Sequence, residues 1–294
     1  MGFSKKSDEI TREYFDSILI SPRYLDSDLP DIGISLFGEH FDTPVMTAAL
    51  SHLHKICDNA MTEFAKGARD CGAVHFYGMG EDEELEEVIR TGAKTAKIIK
   101  PHESDEEVLR RIDHAVNAGA FMVGMDIDHA ISWEGKYDNV LGLPMRPKST
   151  DQLRTFVAAS KVPFVVKGVL SAKDAEKSVE AGAKAILVSN HHGIMDYMTP
   201  PLMMLPEIVR AVDGQAKIFI DGGIESGADV FKCLALGADA VGVGRALMDP
   251  LKDGAKGVSA AITRINAELS VIMARTGAKT IKEIDPSVLR FRSF

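Results

Sequence analysis

Short apolar runs recur along the chain, and stretches with helical spacing separate them. CGAVHFY, TGAKTAKII, AGAFMVGMD, AGAKAILVS and LGADAVGVG are each entered through a Gly-Ala pair that closes a helix-like segment. Glycine suits the left-handed residue just past a helix end. Unbroken runs rich in Val, Ile and Ala are what strands buried on both faces require. KVPFVVKG and AKIFIDGG play the same part without the Gly-Ala entry, and DTPVMTAA precedes them all. Helix starts are marked in between. Ser104 stands before Asp-Glu-Glu, Ser149-Thr150 before Asp-Gln-Leu, and Ser171 has Asp174 three residues on, all patterns that cap a first turn.

Eight strand-and-helix units in about 205 residues predict a closed parallel (β/α)₈ TIM barrel more than an open doubly wound sheet. The barrel is expected over about 44–248, with N-terminal and C-terminal helical extensions at 1–43 and 249–294, all within one domain spanning 1–294. In the second extension, GVSAAITRINAELSVIMARTG predicts a long amphipathic helix lying outside the barrel. The acidic run EDEELEE at 81–87 fits a solvated first helical turn favoured by the helix dipole, so no metal site is expected there.

Composition narrows the class. The chain has 294 residues, 45% hydrophobic and 26% charged, and no apolar run approaches the roughly 20 residues of a membrane helix. A soluble globular protein without a membrane partner is expected. A net charge of −9 argues against a nucleic-acid surface. MGFSKKSDEITREYF lacks the apolar stretch of a secretory signal. Cys57, Cys71 and Cys233 are too scattered for a disulfide framework or a Cys-x-x-Cys metal site, so a reducing cytoplasm is expected.

Residues that end the strands of a barrel converge on one face, where active sites are built. Seven of the nine histidines fall at or just past a predicted strand end: His52, His54, His75, His102, His129, His191 and His192. They come from different strands without ligand spacing, so a ring of imidazoles suits proton transfer and anion binding better than a metal. After the last two strands, IDGGIESGADV and VGVGRAL offer glycines whose backbone N–H groups can approach a phosphate, with Arg245 as a charged fork. Lys167 ends the fifth strand beside His191 at the end of the sixth, a cation next to a proton acceptor.

PRYL, MDID, VVKGVLSAKDAEKSVEAGAKAILVSNH, LPEIV and FIDGGIESGADVFKCLALGADAVGVGRAL together resemble the FMN-dependent α-hydroxy acid dehydrogenase and oxidase family, which includes glycolate and lactate oxidases. The resemblance is specific from Val165 to Leu247. It implies FMN as cofactor and a small-molecule substrate, with Lys167 on the flavin N1–C2=O edge, His191 as catalytic base and Asp126 orienting it. It also implies FMN contacts from Ala48, Lys97, Ser189, Gly193, Asp221, Gly222, Gly223, Gly244 and Arg245, and self-association, commonly into tetramers.

Departures from the family pattern bear on the substrate. Ile194 stands where the family has an arginine that clamps the substrate carboxylate, and Glu225 replaces an arginine after strand seven. Thr47-Ala48-Ala49 stands for Pro-Thr-Ala, AKII for Phe-Gln-Leu-Tyr, and the loop after strand four is short. His52, His54, His75, His129 and Lys97 are then the candidate cations for a carboxylate, with His192 and Ile194 completing the expected pocket. A less polar substrate against Ile194, Met195, Tyr197 and Met198 is the other possibility. Two rival functions remain open: a flavin-free isomerase or lyase for a phosphorylated metabolite, and a non-catalytic flavin-binding homologue.

Overall fold

A computed structural model describes residues 5–292. Eight parallel strands, β1 (Val45–Thr47), β2 (His75–Tyr77), β3 (Thr95–Ile99), β4 (Met122–Asp126), β5 (Phe164–Val169), β6 (Ala185–Val188), β7 (Lys217–Asp221) and β8 (Ala240–Val243), alternate with helices as the sequence predicts. The ladder runs β1-β8-β7-β6-β5-β4-β3-β2. Its ends are brought together by Thr47 N donating to Val74 O at 3.1 Å and by a parallel bridge between Leu50 and Tyr77. The result is the predicted barrel.

The glycines of all five Gly-Ala pairs, at 72, 92, 119, 182 and 237, have positive φ. Each therefore ends its helix as the repeat requires. Ser104, Ser149 and Ser171 accept from the backbone N–H three residues on, and Ser149 with Gln152 forms a full capping box. Side chains along each strand point alternately in and out. Met46, Val74, Phe76, Ala96, Ile98, Met122, Val165, Ala185, Leu187, Phe219 and Ala240 form the inner cluster. The outward set packs on the helices.

The flanks are only partly helical. On the N-terminal side, α1 (Lys5–Ser17) leads into Ile18–Ile20, which pairs antiparallel with Leu289–Phe291 near the other end of the chain. A hairpin of Ile34–Leu36 with Glu39–Phe41 follows, turned by Phe37 (φ 52°) and Gly38 (φ 87°). Two successive positive φ values make the tight turn that suits strand twist. Leu36 and Phe41 join the inner cluster, so the hairpin supplies apolar cover to a lumen built partly from alanines.

The predicted C-terminal helix is α4 (Gly254–Thr276), which packs on α2 (Ala60–Arg69) and α3 (Gly227–Ala235). Its Val258, Ile262, Ile265, Leu269 and Met273 are fully buried, each contributing at most about 1.5–3 kcal/mol. Contact is so close that a Cβ at Gly227 would lie 2.4 Å from Leu269 N. Among the described residues no helix is long and apolar enough to cross a membrane.

Candidate active site

Four strand ends meet at one side of the barrel mouth. Lys167 of β5 lies in register with Asp126 of β4, which brings their side chains together with the residues that follow β3 and β6. Lys167 Nζ is 2.8 Å from Asp126 Oδ1, and Lys100 Nζ, one residue past β3, is 2.6 Å from Asp126 Oδ2. His191 Nδ1 is 3.3 Å from Lys167 Nζ, 3.9 Å from Asp126 Oδ1 and 3.2 Å from Asp128 Oδ1. Two lysines, two carboxylates and an imidazole thus share one largely buried cluster.

Burial alone would raise the carboxyl pKa values, but the charges override it. Asp126 is held well below the usual carboxylate range by Lys100 and Lys167, and Asp128 is lowered chiefly by His191 and then Lys167. Lys167 is raised despite its burial, because Asp126, Asp128 and Asp221 favour the ammonium. Both carboxylates and Lys167 are therefore charged at neutral pH.

The turn after β6 is strained. His191 (φ 49°), His192 (φ 62°) and Gly193 (φ 70°) are all left-handed, which costs about 1–2 kcal/mol for each non-glycine residue. Ser189 Oγ accepts from His191 N at 3.3 Å, and Gly193 N donates to Asn190 O at 2.9 Å, so the turn is tied to the buried end of β6. The His191 ring centroid lies 5.0 Å from that of His129 and 6.2 Å from that of His192. His129 and His192 are both lowered by burial, which favours neutral imidazoles.

On the far side of the mouth, Gly222 (φ 100°), Gly223 (φ 75°), Gly242, Gly244, Ala48, Asp221, His192 and Arg245 line a narrow crevice. A Cβ at Gly223 would meet Thr11 Cγ2 of α1 at 2.7 Å, so only glycine lets α1 approach this turn. Arg12 holds α1 there through Asp229 at 2.8 Å and Gly223 O at 3.2 Å. The Arg245 guanidinium is paired through its two terminal nitrogens with Asp8 of α1, at 2.6 and 2.7 Å. The Asp8 carboxylate stands in for an anion and reveals a guanidinium aimed for bidentate pairing. A glycine turn and such a fork suit the phosphate of FMN, and the buried Lys167 suits its flavin ring.

Not every residue singled out from sequence faces this mouth. His75 and Lys97 occupy outward positions of β2 and β3. His75 packs edge-on against Phe64 of α2, bonds Thr47 Oγ1 at 2.9 Å, and is lowered by burial to about 3. Lys97 donates to Gly78 O at 2.7 Å over the Tyr77 ring, and burial, with Arg111 beside it, lowers it to about 7. Both departures come from strand alternation, which turns neighbours of lumen residues toward the helices. His52 and His54 are exposed beyond β1. Ile194, 39% exposed, edges a pocket of about 340 Å³ shared with Asp128, His129, Ile131, Trp133 and Tyr137.

Lys100 and Asp128 escape sequence reasoning, as do the aromatics of that loop. The signals were present. Ala96, Ile98 and Lys100 share one strand face, and MDID carries a second carboxylate two residues past the first.

Comparison with known proteins gives the family. The FMN-dependent dehydrogenase family matches residues 4–154 and 146–291. An L-lactate oxidase of Roseobacter sp. (strain GAI101) is 43% identical over 150 residues, covering 50% of this chain and 40% of that one. An L-lactate oxidase of Lactobacillus jensenii is 29% identical over 310 residues, covering 94% and 76%. Glycolate oxidase of Spinacia oleracea is 36% identical over 182 residues, covering 61% and 45%. The chain thus spans less than half the length of several curated relatives it matches. A solved mandelate oxidase variant carrying a monooxide FMN adduct superposes with a TM-score of 0.90 at 28% identity, covering 100% of this chain and 94% of that one. With the strand-end cluster and the glycine crevice in place, the chain belongs to the FMN-dependent dehydrogenase family, whose cofactor is FMN.

Proposed function

We propose that the protein is an FMN-dependent oxidoreductase that moves a hydride between the flavin and a small organic substrate, with His191 as acid/base and Lys167 as electrostatic partner of the flavin. The observation that carries this reading is the buried Lys167–His191 contact at the ends of β5 and β6, held by Asp126 and Asp128. Bound FMN would supply the two-electron chemistry, with Ala48, Gly222, Gly223, Gly244 and Arg245 at its phosphate end. The chain's own residues do the rest. The Lys167 ammonium stabilises negative charge developing beside it, in a site too buried for water to screen. His191 has its Nδ1 engaged within the cluster, which leaves Nε2 to take a proton from the substrate. A flavin-free isomerase or lyase is disfavoured by the family match.

The substrate side differs from a small hydroxy-acid pocket. Among the described residues no arginine lines the pocket of about 340 Å³ beside Asp128 and Ile194, whereas Ile131, Trp133 and Tyr137 do, with His129 and Lys136 as its cationic or titratable nitrogen groups. These side chains support a larger, less polar substrate than lactate or glycolate, and mandelate oxidases are among the structural neighbours. We also read the chain as one domain, tied by the ribbon that joins its two flanks, and as a cytoplasmic homo-oligomer. The free thiols of Cys57, Cys71 and Cys233 support a reducing compartment, and the family resemblance supports self-association.

The test is anaerobic single-turnover reduction of the purified yellow protein over small hydroxy acids, aryl hydroxy acids and NAD(P)H. Reduction by an aryl hydroxy acid, with little by lactate or glycolate, is the expected outcome. Brisk reduction by lactate would refute the altered pocket. A flavin that no substrate reduces would favour a non-catalytic homologue.

A further inference from the structure

We propose that Asp128, not Asp126, is the positioning residue that fixes the tautomer of His191. The proposal rests on the reading of His191 as the acid/base and adds a residue to that machinery. Both oxygens of Asp126 are ion-paired, Oδ1 with Lys167 at 2.8 Å and Oδ2 with Lys100 at 2.6 Å, the latter also accepting a hydrogen bond from that ammonium. Its negative charge is met by two positive ones, and it lies 3.9 Å from His191 Nδ1. Asp128 has no such partners. Among the described residues its one polar contact is His191 Nδ1 at 3.2 Å, and its buried Oδ2 bonds nothing.

The carboxylate is also held in place from behind. Gly168, at φ 91°, interrupts β5 directly beneath it, and a Cβ there would come within 2.4 Å of Asp128 Cγ. The side chain therefore fills a space that only glycine leaves open, with its Oδ1 toward the imidazole.

Nδ1 has two suitors, and chemistry decides between them. Lys167 Nζ, at 3.3 Å, can only donate, so it favours an unprotonated Nδ1. Asp128 can only accept, so it favours a proton on Nδ1. Lys167 loses little if refused, because its ammonium is already ion-paired with Asp126 at 2.8 Å. Asp128 loses its only hydrogen bond, and a buried carboxylate without a donor is the costlier outcome. The Nδ1–H tautomer results, with Nε2 as the free base. Asp126 instead sets the charge of Lys167 and Lys100.

The tautomer can be read without turnover, from ¹⁵N side-chain shifts of histidine-labelled, FMN-containing protein at a pH where the ring is neutral. His191→Gln identifies the signal. The expected pattern is a pyrrole-type Nδ1 and a pyridine-type Nε2 in the wild type and in Asp126→Asn. In Asp128→Leu the two types exchange as Lys167 becomes the partner, and in Asp128→Asn the pattern is intermediate because the amide oxygen still accepts. Flavin content and circular dichroism identify any variant that fails to fold, for which the near-isosteric Asp128→Asn serves instead. Flavin reduction in Asp128→Leu should fall by up to about 10⁴-fold, the scale seen when a histidine base loses its orienting carboxylate. A wild-type His191 protonated at Nε2, or an exchange caused by Asp126→Asn but not by Asp128→Leu, would overturn the proposal. An intact tautomer pattern in a protein that turns over no substrate would leave Asp128 in this role and count against the catalytic reading alone.

Discussion

Removing the Arg245 fork should weaken FMN binding, and removing its competitor Asp8 should strengthen it. The two form a bidentate pair at 2.6 and 2.7 Å, but the side chains are 45% and 32% exposed. Solvent and salt screen such a pair to about 0.2–1 kcal/mol. A phosphate set among the glycine N–H groups of the crevice offers more charge to the same guanidinium. Hydrogen bonds to charged groups contribute about 1.5–3 kcal/mol, so about 2 kcal/mol is expected for the Arg245–phosphate contact at this exposure. Arg245→Ala should then raise the Kd for FMN about 30-fold. Asp8→Asn should lower it by about 5-fold at most, the full value of the pair that phosphate must displace. In the double variant Asp8 has nothing left to occupy, so the Kd should match that of Arg245→Ala alone. Titration of apoprotein with FMN, followed by quenching of flavin fluorescence, measures all four constants. Added salt should shrink the Asp8 effect as screening grows. An Arg245→Ala Kd within twofold of wild type would put the phosphate elsewhere, and weaker binding in Asp8→Asn would make Asp8 a helper.

His191→Ala should retain FMN and lose flavin reduction by at least about 10³-fold, whereas His192→Ala should keep turnover; stopped-flow flavin absorbance distinguishes them. Ile194→Arg should raise reduction by lactate about 10-fold or more by restoring a cation for the carboxylate, read as kcat/KM. Lys97→Met should stabilise the fold. Lys97 falls from the ordinary 10.5 to about 7, so between these values the unfolded chain holds a proton that the folded one sheds. The destabilisation is full below pH 7, at most about 5 kcal/mol, and vanishes above about pH 10.5. Denaturant melts should therefore show the gain at pH 6 and a loss of about 1 kcal/mol at pH 10.5 or above, where only the stranded Gly78 carbonyl counts.

What the chain determines by local rules was legible without coordinates. The Gly-Ala pairs work within one helix end, the serine caps within three residues, and the apolar runs within one strand, so eight units and their order could be read off directly. The placement of Lys167 and His191 at strand ends follows from the same runs, since parallel strands must bring those ends to one face. Other features needed partners far along the chain. Whether Lys97 or Lys100 reaches the lumen depends on where β3 begins relative to the barrel axis, and a shift of one residue reverses the answer. The choice between Asp126 and Asp128 is set by the lysines that reach the first and by the space over Gly168. Arg245 meets a carboxylate from α1 across 237 positions of sequence. The hairpin at 34–41 acquires its role only because the barrel leaves an apolar end to cover. In each case the deciding energy is a long-range contact, which exists only after the barrel closes and which no local pattern encodes.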